Sequence, residues 1–131
     1  MPVTLREIYR LSLQLSPEER RQLASYLLDP PAVPDAREIL ARIEAHAADL
    51  RALGVRRLGL FGSHLRGDAD PASDIDLLVA LDGKPSMRGF MRIKRYLEEL
   101  LGHPVDLVLE DSLREELRPV VLAEVVYAGG L

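Results

Sequence analysis

The segment Asp74-Ile75-Asp76-Leu77-Leu78-Val79-Ala80-Leu81 opens on two acids and then runs apolar for five residues. A short unbroken apolar run bounded by turn residues fits a strand covered on both faces, so it calls for a sheet with further layers packed against it. Residues i and i+2 of a strand face the same way, and Asp74 and Asp76 therefore converge. Two carboxylates side by side on a buried strand repel each other and resist ionisation unless a cation neutralises them. Hard divalent cations such as Mg²⁺ prefer carboxylate oxygen and keep positions open for water and phosphate, which makes the pair a candidate metal site. Taken alone, the two acids also fit a solvated strand end or a helix cap.

Asp106 is a third acid inside an apolar run, Val105-Asp106-Leu107-Val108-Leu109, with no local charge partner. If its strand lies beside that of Asp76, three carboxylates surround one site, enough for two cations and for taking a proton from an attacking hydroxyl. On an edge strand it would instead pair with an arginine. Upstream, Leu58-Gly59-Leu60-Phe61-Gly62-Ser63 ends a strand on a glycine and a serine. Such a turn brings backbone N–H groups and a hydroxyl up to an anion, so Gly62 and Ser63 are candidate phosphate contacts. Arg66 either adds charge to that contact or faces water.

The rest of the chain supplies the helices. Leu5, Ile8, Leu11, Leu15, Leu23, Tyr26 and Leu27 recur at helical spacing, and Ser16-Pro17-Glu18-Glu19 marks a fresh start, which predicts helices over Thr4–Gln14 and Pro17–Leu28. Prolines at 30, 31 and 34 make the next stretch a linker, so residues 1–30 read as a helical appendage and residues 35–131 as the main domain. Ile39, Ile43, Ala47 and Leu50 share a face of a helix over Asp35–Leu53, closed by Gly54. Val55–Phe61 reads as a strand. Phe90, Ile93, Leu97, Leu100 and Leu101 form the stripe of a helix from Arg88 to Leu101, and Leu113–Tyr127 reads as mostly helical with Pro119 interrupting it. Strands alternating with helices give an α+β (α/β mixed) class, a sheet flanked by helices.

At 131 residues, 47% of them hydrophobic and 29% charged, the chain can bury one core of ordinary size. The absence of cysteine excludes disulfides and thiolate metal sites, leaving oxygen or imidazole ligands. His46, His64 and His103 lack metal-ligand spacing and are expected at the surface. A net charge of −4 argues against coating nucleic acid, while a small anion remains open because a bound cation reverses the local field. Arg88, Arg92, Lys94 and Arg95 read as a solvated helix face, with triphosphate or an RNA-bearing partner as the alternative. No spanning segment or signal peptide is evident, and the chain is expected in the cytoplasm, with no membrane partner.

Gly62-Ser63, the ten residues from His64 to Ser73, and Asp74-Ile75-Asp76 together reproduce a GSx₁₀DxD spacing. With Phe61-Gly62-Ser63-His64-Leu65-Arg66-Gly67-Asp68 on one side and Ser73-Asp74-Ile75-Asp76-Leu77-Leu78-Val79 on the other, the chain resembles the minimal nucleotidyltransferase (MNT) family of the polymerase-β superfamily. The resemblance covers about Val55–Leu109 closely, the flanking helices loosely, and the first 30 or so residues not at all.

That resemblance implies a polymerase-β-like fold, two Mg²⁺ ions, and a nucleoside triphosphate, usually ATP, from which a nucleotidyl group passes to a hydroxyl. It assigns Gly62 and Ser63 to the triphosphate, Asp74 and Asp76 to the metals, and Asp106 to a third metal-binding acid that helps activate the acceptor. It further implies an antitoxin paired with a HEPN-domain RNase toxin, silenced by addition of AMP to a tyrosine. Three readings follow: a protein adenylyltransferase, an antitoxin that acts by binding with a vestigial or regulatory nucleotide site, and, third, a small-molecule transferase of the aminoglycoside type. The last usually needs an extra substrate-binding domain. Homo- and hetero-oligomers both remain open, as does the role of the first two helices: partner-binding module, or lid on their own domain.

Overall fold

A computed structural model describes residues 2–29 and 33–131, which divide into two compact units, Met1–Ala32 and Val33–Leu131. The first holds α1 (Leu5–Ser12) and α2 (Pro17–Leu28). Thr4 caps α1 by accepting the Glu7 N–H, and Ser16 with Glu19 forms a reciprocal capping box on α2 behind Pro17. Neither helix contains a buried residue. The expected linker falls largely on residues 30–32, outside the described residues.

The second unit runs α3 (Ala36–Ala45), α4 (Ala47–Ala52), β1 (Val55–Phe61), α5 (Ser63–Arg66), β2 (Ile75–Leu81), α6 (Met87–Leu101), β3 (Val105–Leu109), a 3₁₀ turn at Glu110–Ser112, α7 (Arg118–Glu124) and β4 (Val126–Tyr127). The strands form one mixed sheet in the order β3-β2-β1-β4. β1 is antiparallel to both β2 and β4, while β2 and β3 are parallel and joined through α6, as parallel neighbours require a crossover. The class is α+β, as the alternation of patterns predicts.

Every side chain of β2 from Leu77 to Val79 is fully buried, which is why the run reads apolar without alternation. Ile39, Ile43 and Leu50 from the first helices, and Ile93, Leu97 and Leu101 from α6, close the core around the sheet. α6 is capped by Ser86 on the Gly89 N–H and ends at Gly102 in the left-handed region.

Two expectations need correction. The helix predicted over Asp35–Leu53 breaks at His46, whose φ/ψ of −115°/21° lies outside helical values and whose Nδ1–H donates to the Arg42 carbonyl at 3.0 Å. The ring takes an acceptor that the helical ladder would otherwise use. The Leu113–Tyr127 segment is less helical than its pattern suggests. Pro119 opens α7 instead of interrupting it, because proline is tolerated in a first turn, and the chain then extends into β4.

Candidate active site

β1 delivers the glycine-serine turn and β2 the acids. Phe61 is the Cα partner of Asp76 across β1–β2, and Asp76 is the Cα partner of Asp106 across β2–β3. The turn, Asp76 and Asp106 thus lie in one row across three strands. Asp74 immediately precedes β2. It is placed by a tight turn in which Asp70 Oδ1 accepts the Ala72 N–H at 2.8 Å and the Ser73 hydroxyl at 3.2 Å, after which the Ile75 N–H donates to the Pro104 carbonyl at 3.0 Å.

Gly62 is required twice over. Its φ of +81° suits glycine, and a Cβ placed on it would lie 2.1 Å from Asp76 Oδ2. The carboxylate therefore sits directly against the turn backbone. Ser63 opens the four-residue α5, and Gly67 ends it in the left-handed region. The Gly62 N–H, read from sequence as a phosphate donor, is already engaged: it donates to Glu124 Oε1 at 3.1 Å. The same oxygen accepts Arg66 Nη1 at 2.8 Å, and Arg66 Nε lies 3.5 Å from Asp68 Oδ2. Sequence reasoning missed Glu124 altogether.

Burial, reinforced by the charges of Asp106 and Asp74, raises the Asp76 carboxyl from 3.8 to about 6, with Arg66 pulling the other way and a side-chain hydrogen bond to Asp106 adding to the rise. Asp106 and Asp74 are thus both close enough to act on the ionisation of Asp76. Among the described residues, however, no three Asp, Glu or His side chains are set as a ready metal-binding trio. The raised Asp76 carboxyl registers the repulsion between it and its two acidic neighbours. An all-oxygen donor set under such charge strain fits a hard divalent cation, which would neutralise it directly.

His64 contradicts the surface expectation. It is 2% exposed, neither ring nitrogen has a partner among the described residues, and its ring meets His103 edge-on with centroids 6.0 Å apart. Burial first, and then His103, lowers its pKa, so the ring is neutral at pH 7. His46 and His103 are half-buried; of the α6 cations read as a solvated face, Arg88, Arg92 and Arg95 are exposed while Lys94 is half-buried.

A mixed sheet presenting a glycine-serine turn beside acids from two parallel strands defines the polymerase-β-like class of nucleotidyltransferase. Residues 43–128 match the model of the nucleotidyltransferase domain family. The protein adenylyltransferase MntA of Thermococcus cleftensis is 46% identical over 91 residues, covering 69% of this chain and 92% of that protein. A solved structure described as a minimal nucleotidyltransferase superposes with a TM-score of 0.64 at 38% identity, covering 73% of this chain and 98% of that one. A toxin–antitoxin crystal structure with AMP-PNP gives 0.56 at 25% identity, covering 67% of this chain and 73% of that one. The chain belongs to the nucleotidyltransferase domain family, as a minimal nucleotidyltransferase, and is an enzyme of that class.

Proposed function

We propose that this nucleotidyltransferase transfers AMP from ATP to a hydroxyl of a protein partner, a tyrosine of a HEPN toxin, and so acts as the antitoxin of the pair. The observation that carries the reading is the seating of Asp76 against Gly62 and beside Asp106, which puts acids from two strands next to the turn of the GSx₁₀DxD motif. The protein target is supported by MntA of T. cleftensis, named a protein adenylyltransferase, and by the toxin–antitoxin structure with AMP-PNP.

In this reading Ser63 and Arg66 hold the triphosphate, and the Gly62 backbone lets it approach. The acceptor oxygen attacks the α-phosphorus, the bond to the β-phosphate oxygen breaks, and pyrophosphate leaves. Asp106 takes the hydroxyl proton onto its carboxylate. Asp74, Asp76 and Asp106 would hold two Mg²⁺ ions, which supply charge neutralisation for the phosphates when bound. The described residues contain no helix long and apolar enough to cross a membrane, and the cytoplasm, where ATP and an RNase toxin would meet, is the proposed location.

Incubation with Mg²⁺, α-labelled ATP and the candidate toxin should label the toxin, and Asp74→Ala should abolish that label. Label that survives Asp74→Ala sinks the site. Neutralisation of the toxin by an Asp74/Asp76/Asp106 triple alanine variant would instead favour inhibition by binding alone.

A further inference from the structure

We infer that Glu124 is a positioning residue for nucleotide recognition, holding Arg66 and the Gly62 main chain with one carboxylate oxygen so that the arginine stands ready beside the glycine-serine turn. The inference rests on the proposal that Arg66 meets the triphosphate.

The sheet register explains how Glu124 gets there. β1 and β4 pair Gly59 with Tyr127 and Leu60 with Val126, and continuing that register sets Gly62 opposite Glu124. The ladder cannot continue in backbone, because α7 ends at Glu124. Glu124 Oε1 substitutes for the missing carbonyl, accepting the Gly62 N–H at 3.1 Å. The same atom accepts Arg66 Nη1 at 2.8 Å, and Asp68 Oδ2 stands 3.5 Å from Nε. Two of the three guanidinium nitrogens are thus committed to carboxylates, and Nη2 is left to present its donors.

Two observations separate this from an ordinary surface ion pair. The Arg66 side chain is 53% exposed and long enough that without a grip it would sweep through solvent. Glu124, only 23% exposed, is the last residue of α7, where a negative charge opposes the helix dipole. Helix stability therefore gives no reason for an acid at this position, whereas holding the turn and the arginine does.

The opposite electrostatic outcome is also defined. A carboxylate that merely competed with phosphate for Arg66 would weaken nucleotide binding, and its removal would tighten it. Calorimetric titration of the full chain with AMP-PNP and Mg²⁺ distinguishes the two. Glu124→Ala should weaken binding about tenfold, and Glu124→Gln, which keeps an acceptor oxygen but loses the charge, about threefold. In an Arg66→Ala background, Glu124→Ala should cost no more than about threefold, because only its hold on the Gly62 main chain is left to lose. Thermal melts of each variant accompany the titrations, and if Glu124→Ala fails to fold, Glu124→Gln alone and with Arg66→Ala completes the same cycle. Unchanged or tighter binding in the Glu124 variants, or an equal loss without Arg66, overturns the inference. Binding of AMP-PNP by the wild type in that case leaves the nucleotide site itself standing, while no wild-type binding removes both.

Discussion

Asp76 is held half-buried between the Gly62 turn and Asp106, and its carboxyl rises to about 6. Because the folded pKa lies above the unfolded value of 3.8, the native state binds the extra proton, and this residue's contribution to stability is lost as pH climbs from about 4 to about 6. Asp76→Asn should therefore stabilise the metal-free protein at pH 7.5 by on the order of 1 kcal/mol, discounted for partial solvent access and read as a higher melting temperature, and should make no difference below about pH 4. Mg²⁺ should stabilise the wild type at pH 7.5 and leave Asp76→Asn nearly unchanged, since a ligand stabilises only the state that binds it. A variant less stable than wild type at neutral pH would refute the charge strain. Gly62→Ala is the geometric counterpart: the Cβ collides with Asp76 Oδ2 at a positive φ, so we expect a loss of about 1–3 kcal/mol in a thermal or urea melt, with AMP-PNP binding weakened in parallel. At this scale the sequence was most readable where chemistry restricts residue type, as at Gly62, Asp74, Asp76 and Asp106. Glu124 was hidden because its partner lies 62 positions away and belongs to no local period. His64 was misjudged because a four-residue helix shows no amphipathic stripe from which burial could be inferred.

Elements were legible in proportion to their length. The stripe of α6 and the face shared by Ile39, Ile43, Ala47 and Leu50 identify core positions, all of which are buried except Phe90 and Leu100, which pack partly against the core. β4 could not be read, because two residues carry no alternation, and the edge they join is decided by β1. The break at His46 escaped for a similar reason: its cause is one side chain competing for one carbonyl. Beyond their shared core, α6 and β3 are tied by one side-chain hydrogen bond among the described residues: Glu98 Oε2 accepts the Val105 N–H at 3.0 Å, one residue before Asp106. Glu98→Ala should leave that N–H unpaired, cost about 1–3 kcal/mol, and show faster amide exchange at Val105 and Asp106 than at β1. Uniform exchange across the sheet would show that β3 does not depend on this contact.

At the scale of the molecule, every residue of the hydrophobic core cluster comes from the second unit, from Ile39 to Ala128, and the family match lies within the same span. The first unit has no buried residue in α1 or α2 and exposes Leu5, Tyr9, Leu11, Leu27 and Leu28. A 32-residue unit is below the roughly 40 residues at which a chain can form a core without staples or partners. Folding and nucleotide binding should therefore reside in residues 33–131. Deleting residues 1–32 should preserve one cooperative melt, shift its midpoint by no more than a few degrees, and change the AMP-PNP Kd by less than about twofold, since the core and the candidate site residues all belong to the second unit. Toxin neutralisation by the same truncated protein separates the two roles open to the first helices. Loss of neutralisation with nucleotide binding intact would make them a partner-binding module, whereas loss of cooperative melting would make them part of the enzyme's own fold.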